Sequence, residues 1–217
     1  MNYSIMRIAK IKAKSSFAAI ERHDRERSRL KHRKNPEREK ENRWIQNKYH
    51  EKDKGLVERF EALTDGLKYR KDAVLGFEVI MAYSPDMASK IPEKEWIKEN
   101  LKWVSNAFGG AENVVGAFYH CDETTPHMHA IVVPIVKEKE KKKLSAYSYV
   151  KGKESLSKLQ DSYAESMKPF GLERGRKYTE EPDRPSAHHK SLKEYWADYE
   201  REVEALKASV FGKEEER

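Results

Sequence analysis

The sequence predicts an α+β domain, an antiparallel β-sheet covered by helices with a further helix at the C-terminal end. Three observations carry that expectation. Two strand-like runs, residues 113–120 and 127–136, are joined by only six residues, "CDETTP", the connection of a β-hairpin. Segments with apolar residues at three- and four-residue spacing are interspersed with the strand-like runs, so helices have a sheet to cover. Apolar residues make up 37% of the chain and charged residues another 37%, enough to fill a core beneath a heavily ionised surface.

Taken in order, residues 2–11 ("NYSIMRIAKI") alternate as a strand with Tyr3, Ile5, Arg7 and Ala9 on one face. Ser16 is a plausible N-cap for a helix through "FAAIERHDRERSRL", broken at Asn35-Pro36, where Pro36 suits the first turn of another. Leu56, Phe60, Leu63 and Leu67 form a helical stripe. Residues 73–83 ("AVLGFEVIMAY") read as a buried strand. A turn leads to a helix with Ile97, Leu101, Val104 and Phe108 inside, ended by Gly109-Gly110. After the hairpin, "KEKEKKK" is expected as an exposed tip and "LSAYSYV" as one more strand. A helix from about Lys153 buries Leu156, Leu159, Tyr163 and Met167 and stops at Pro169 or Gly171; a last helix carries Leu192, Tyr195, Trp196, Tyr199, Val203 and Leu206.

Composition excludes several classes. No run of 18 apolar residues exists to span a membrane, and the opening "MNYSIMRIAKIKAK" lacks the apolar stretch of a secretory signal. The single cysteine, Cys121, excludes an internal disulfide framework and fits a reducing cytoplasm. Residues 1–50 hold 15 Lys and Arg against 6 Asp and Glu, whereas the rest of the chain holds 29 against 31. The positive field therefore belongs to one end of the chain and points toward a polyanion.

The chemistry concentrates in "HCDETTPHMH", residues 120–129. In a strand, His127 and His129 share a face, with Met128 directed into the opposite layer. Symmetric pairing about the connection sets His120 opposite His127, so three imidazoles converge from two strands. That donor set suits one divalent ion with coordination positions left open, and a one-residue register slip would destroy it. Asp122 and Glu123, on the loop, are candidates for orienting a ligand or for a base near the ion.

The same stretch resembles the third motif, HxDExxPHMH, of the MobV (Pre/Mob) family of plasmid relaxases, and it matches every fixed position. "MNYSIMRIAKIKA" is similar to the family's opening strand, "ERHDRER" to its first motif and "YRKDAVL" to the segment before its central strand. "GLERG" with the later "HHK" is similar to the end of its catalytic domain. The resemblance runs from residue 1 to about residue 200. It implies an HUH-like relaxase fold over residues 1–200, with 201–217 as the end of the last helix and a charged tail. It also implies a bacterial, cytoplasmic enzyme that nicks one strand at a plasmid transfer origin and stays joined to the 5′ end.

Carried over by position, the resemblance makes His23 the nucleophile, His120, His127 and His129 the ligands of a Mn2+ or Mg2+ ion (Zn2+ being the alternative), and Glu123 the acidic partner. The first-motif arginine is Arg25 or Arg27. Arginines around His23 favour its uncharged, nucleophilic ring. The second motif's Asn followed closely by Tyr is represented by Asn42 with Trp44 nearby, so a tyrosine nucleophile is not available there. Candidate DNA contacts are Arg22, Arg27, Arg29, Arg33, Lys34, Arg70, Lys71, Arg174 and Arg176, with Trp44, Tyr147 or Tyr149 as stacking platforms. The implied partners are origin DNA, single-stranded or hairpin near the nick, a second copy of the chain and a coupling protein of the transfer machinery. Members often continue into a C-terminal helical region, so the chain is expected to be a minimal form or a fragment. Two other readings of the residues stand beside this one: a nuclease that activates water at the metal, and a DNA-binding module whose histidines hold structural zinc.

Overall fold

Alternation of side chains along the four longer strands of a six-stranded sheet gives it two faces, and helices pack on both. The computed structural model describes residues 2–26, 35–138 and 141–175. The strands are β1 (Tyr3–Ile11), β2 (Arg43–Trp44), β3 (Gly76–Tyr83), β4 (Val114–His120), β5 (His127–Val132) and β8 (Glu173–Arg174), in the spatial order β2-β4-β5-β3-β1-β8. All neighbours are antiparallel except β1 and β8, where Tyr3 pairs with Glu173 and Ser4 with Arg174. A separate ribbon of β6 (Ile135–Glu138) and β7 (Lys141–Leu144) follows β5.

One face of the sheet carries Met6, Phe77, Val79, Met81, Tyr119, Met128 and Ala130 against helices α3 (Glu93–Ala107) and α4 (Lys153–Met167). Trp103 meets Tyr163 edge-on with centroids 4.9 Å apart, and the Tyr163 hydroxyl donates to Asn100 Oδ1 at 2.9 Å, which ties the two helices together. Burying each such large apolar group is worth about 1.5–3 kcal/mol.

The other face carries Ile11, Val115, Phe118 and Ile131 against α1 (Lys14–Arg25), through Phe17, and α2 (Leu56–Thr64), through Leu56 and Phe60. A polar contact locks these two helices together. The Glu21 carboxylate of α1 accepts the Leu56 N–H at the start of α2 at 2.9 Å and pairs with Arg25 at 3.0 Å. An acidic group at a helix N-terminus satisfies an orphan donor and complements the dipole.

Several expectations change. Helix α1 begins at Lys14, ahead of Ser16, with Ala13 as N-cap. Pro36 opens a 3-10 helix of six residues, Pro36–Glu41, rather than an α-helix. "KEKEKKK" is not only a tip: its described residues pair in the β6–β7 ribbon. Residues Ala146–Ser148 form a 3-10 turn rather than a strand; the Tyr149 hydroxyl bonds the Ile135 carbonyl at 2.7 Å and folds the segment over the ribbon's base. The inner face of α3 also includes Trp96 and Trp103, both more buried than Leu101. The helix expected between Leu192 and Leu206 lies outside the described residues.

Candidate metal centre and catalytic site

The β4–β5 register sets His120 opposite His127 and Phe118 opposite His129. All three histidines therefore project from the α1/α2 face of the sheet, while Met128 enters the other core. Ring centroids are 5.0–5.3 Å apart, and one nitrogen from each lies within 4.8 Å of the other two. Small side-chain rotations close that separation onto an ion with imidazole bonds of about 2.0–2.1 Å.

Neighbouring acceptors hold two of the rings in a defined tautomer. His127 Nδ1 is 2.9 Å from the Thr125 carbonyl and His129 Nδ1 is 2.7 Å from Glu78 Oε1. Because a carbonyl or carboxylate can only accept, Nδ1 carries the proton in both, and each Nε2 keeps its lone pair for a metal. His120 Nε2 sits 3.3 Å from the Asp24 carbonyl oxygen and 3.9 Å from Asp24 Oδ1. Burial opposes charge on His129. The Glu78 hydrogen bond, aided by the negative charges of Asp24, Glu78 and Glu123, outweighs that and lifts its pKa above the ordinary 6.5. Three oriented imidazoles backed by carboxylates fit a divalent cation with open positions.

Asp24 is fully buried at its side chain, although its neighbours His23 and Arg25 are exposed. The last turn of α1 therefore packs one residue, Asp24, against His120, and His23 is the exposed residue before it. Arg22 is exposed in the same turn, and the Arg25 guanidinium lies 3.2 Å from the Trp44 ring centroid. Glu123 is half-buried, its loop clasped by Asn35, whose side chain donates to the Glu123 carbonyl at 2.8 Å and whose N–H donates to the Asp122 carbonyl at 3.0 Å. Asp122 itself is buried. Arg70 and Lys71 are exposed beyond α2, whereas Arg174 is tied to Asp161 at 3.0 Å and Gln160 at 2.7 Å. Tyr147 is exposed and Tyr149 half-buried against Phe108. Arg27, Arg29, Arg33, Lys34 and Arg176 lie outside the described residues.

Sequence reasoning did not single out Glu78 or the acidic role of Asp24. Glu78 is the lone charge in β3, a strand otherwise apolar, and that anomaly was the available signal. Asp24 had none, because its burial depends on where α1 docks.

One cross-strand row joins these groups: Arg7 opposite Ile80, Ile80 opposite His129, His129 opposite Phe118, and Phe118 opposite Trp44. Arg7 is exposed at one end, so the row carries a cation, an imidazole of the histidine cluster and an aromatic ring along one line. Such a line suits a single polyanionic strand laid across the sheet.

Comparison with known proteins gives a consistent result. The profile of the family described as plasmid recombination enzyme (Mob_Pre) matches residues 1–196. The chain is 33% identical over 181 residues to a plasmid recombination enzyme type 2 of Staphylococcus aureus, covering 80% of this chain and 41% of that protein. It is 29% identical over 209 residues to a type 1 enzyme of Staphylococcus aureus, covering 91% and 49%. With a 65 kDa protein of Zymomonas mobilis subsp. mobilis it shares 31% over 179 residues, covering 80% and 30%. The chain thus spans less than half the length of these curated relatives. Among solved structures, the MobM relaxase domain bound to plasmid pMV158 oriT DNA, with Mn bound, superposes with a TM-score of 0.70 at 28% identity, covering 90% of this chain and 99% of that one. The same domain on a 26-nucleotide oriT DNA gives a TM-score of 0.63 at 25% identity. The chain belongs to the plasmid recombination enzyme (Mob_Pre) family and has the fold of its relaxase domain.

Proposed function

We propose that this chain is a metal-dependent relaxase domain that nicks one strand at a plasmid transfer origin by transesterification, with His23 as nucleophile, and can rejoin it. The observation that carries the reading is the contact between the last turn of α1 and the histidine cluster: the Asp24 carbonyl lies 3.3 Å from His120 Nε2, with His23 the preceding residue. In this reading nucleophile, ligands and carboxylates share one site, as strand transfer requires.

His120, His127 and His129 would hold Mn2+ or Mg2+, Zn2+ being the alternative, and the bound ion supplies Lewis-acid polarisation of the scissile phosphate. His23 attacks phosphorus through a ring nitrogen; the P–N bond forms as the bond to the 3′ oxygen breaks, and that oxygen takes up a proton to leave a free 3′-OH. Glu123 accepts the proton lost from the other ring nitrogen of His23. Arg25 and Arg22 would offset phosphate charge beside it, and Arg27, Arg29, Arg33, Lys34, Arg70, Lys71, Arg174 and Arg176 are the further candidate phosphate contacts. Reversal of the same step rejoins the strand. The reading includes a second copy and a transfer-machinery coupling protein as partners, in the bacterial cytoplasm where the plasmid resides.

Supercoiled plasmids carrying candidate origins, the pMV158 origin among them, test it when incubated with Mn2+, Mg2+ or EDTA. The expected product is an open circle with the protein on its 5′ end, formed only with metal. Scattered cuts with no attached protein indicate a water-activating nuclease instead. Unfolding on chelation, without nicking under any condition, indicates a structural zinc module.

A further inference from the structure

Asp24, next to last in α1, packs against His120 from outside the hairpin. Its side chain is fully buried, and two of its oxygens approach the same ring nitrogen. Oδ1 lies 3.9 Å from His120 Nε2 and the main-chain carbonyl oxygen lies 3.3 Å from it. Taking a carboxylate out of water costs several kcal/mol, so a protein rarely buries one without a use for its charge.

Both Asp24 oxygens are acceptors. An imidazole turning the lone pair of Nε2 toward them would set acceptor against acceptor, so a proton or a cation belongs between them. His127 and His129 have Nδ1 against acceptors and keep their lone pairs on Nε2. A cation at His120 Nε2 therefore gives all three rings the same ligating atom. Two atoms bound to one ion at about 2.0–2.2 Å stand about 3.0–4.2 Å apart, according to the angle at the metal. The 3.9 Å between Asp24 Oδ1 and His120 Nε2 falls inside that range. The carboxylate is felt at a second ring as well. Burial opposes charge on His129, and Asp24 acts with the Glu78 hydrogen bond to raise its pKa.

We propose that the Asp24 carboxylate is a fourth protein ligand of the divalent ion, joining His120, His127 and His129. Imidazoles suit Zn2+ and its neighbours, whereas a carboxylate oxygen suits Mn2+ and Mg2+, so Asp24 biases the site toward the harder ions. It also neutralises one of the ion's two charges inside a buried site. A ligand on α1 ties the ion to the helical turn that carries His23, and so couples metal binding to the position of that turn. This rests on the metal-dependent reading above and adds to it a ligand supplied from outside the hairpin.

The test is electron–nuclear double resonance of Mn2+ bound to the full chain, with aspartate labelled by 13C at its side-chain carboxyl carbon. The wild-type protein is expected to show 14N coupling from the imidazoles together with 13C coupling from one carboxylate. Asp24→Asn, which keeps the size of the side chain, is expected to lose the 13C coupling, and Asp122→Asn, on the neighbouring loop, to retain it. Calorimetric titration of Asp24→Asn with Mn2+ is expected to show a loss beyond the roughly 10–100-fold that removing a carboxylate behind a ligating histidine causes. The affinity for Zn2+ is expected to fall less. No 13C coupling in the wild-type protein, a coupling that survives Asp24→Asn, or equal losses for Mn2+ and Zn2+ overturns the assignment. The wild-type spectrum decides even if a variant fails to fold. It also separates the two ideas: 14N coupling without 13C coupling removes Asp24 alone, and failure to bind Mn2+ removes the metal-dependent reading with it.

Discussion

Glu78 Oε1 lies 2.7 Å from His129 Nδ1, reaching from β3 to the ring on the neighbouring strand β5. Residue 80, two positions further along β3, is the one paired with His129, so the contact runs diagonally and pins the ring from one side. Glu78→Ala is expected to weaken Mn2+ binding about 10–100-fold, as loss of a carboxylate behind a ligating histidine does. Glu78→Gln, which keeps an acceptor and loses the charge, should fall between. Calorimetric titration with Mn2+ measures this without reference to catalysis, and an unchanged affinity for Glu78→Ala would show that the carboxylate does not orient the ring.

The proposed bond between His23 and DNA has a chemical signature. A phosphoramidate hydrolyses in acid and survives base, so the trapped complex should release DNA at low pH only. His23→Ala is expected to abolish the adduct with DNA binding nearly unchanged, since a neutral imidazole adds little attraction for phosphate. Peptide mapping decides the matter: an adduct on Tyr49, Tyr147 or Tyr149, or full nicking by His23→Ala, rules out the histidine mechanism.

Cys121 should be chemically silent while the protein is folded. Its thiol is fully buried, and burial pushes its pKa up to about 11, partly opposed by the Arg38 charge. Only about one thiol in a thousand is then ionised at pH 8, and the thiolate is the reactive form. Iodoacetamide at pH 8 is expected to label Cys121 in urea and leave the native protein untouched over the same interval; fast native labelling would mean that the loop opens.

Gly76 begins β3 where no side chain fits. A Cβ there would lie 2.8 Å from the Phe17 ring and 3.0 Å from the Val132 carbonyl oxygen, one a packed aromatic and the other ladder backbone. Gly76→Ala is therefore expected to cost about 1–3 kcal/mol, read as a lower urea midpoint. A variant as stable as the parent would mean that α1 can shift away from the sheet.

The hairpin was the most legible part of the sequence, because two histidines at period two and a short connection leave one register that brings His120 to His127. The large helices were legible for a similar reason, their stripes being long. What escaped reading depends on contacts between distant segments. β2 has two residues, Arg43–Trp44, too few to show a period, yet its pairing sets Trp44 against Phe118. Asp24 and Glu78 become neighbours of histidines more than fifty positions away only when α1 and β3 take their places. The run "LSAYSYV" misled because tyrosine and valine favour strands in general, whereas here Tyr149 serves the ribbon as a hydrogen-bond donor.

The parallel pairing of β1 with β8 has a consequence for how the protein comes into being. Strand β1 is translated first, but its two neighbours are Gly76–Tyr83 and Glu173–Arg174. At ribosomal rates of about 5–20 residues per second, Tyr3 precedes Glu173 by roughly 10 to 30 seconds. Through the early part of that interval β1 has both edges open and the apolar groups of Met6 and Ile11 uncovered, the condition in which nascent strands aggregate or recruit chaperones. A chaperone that shields Tyr3–Ile11 until its partners arrive is therefore expected to raise the folded yield.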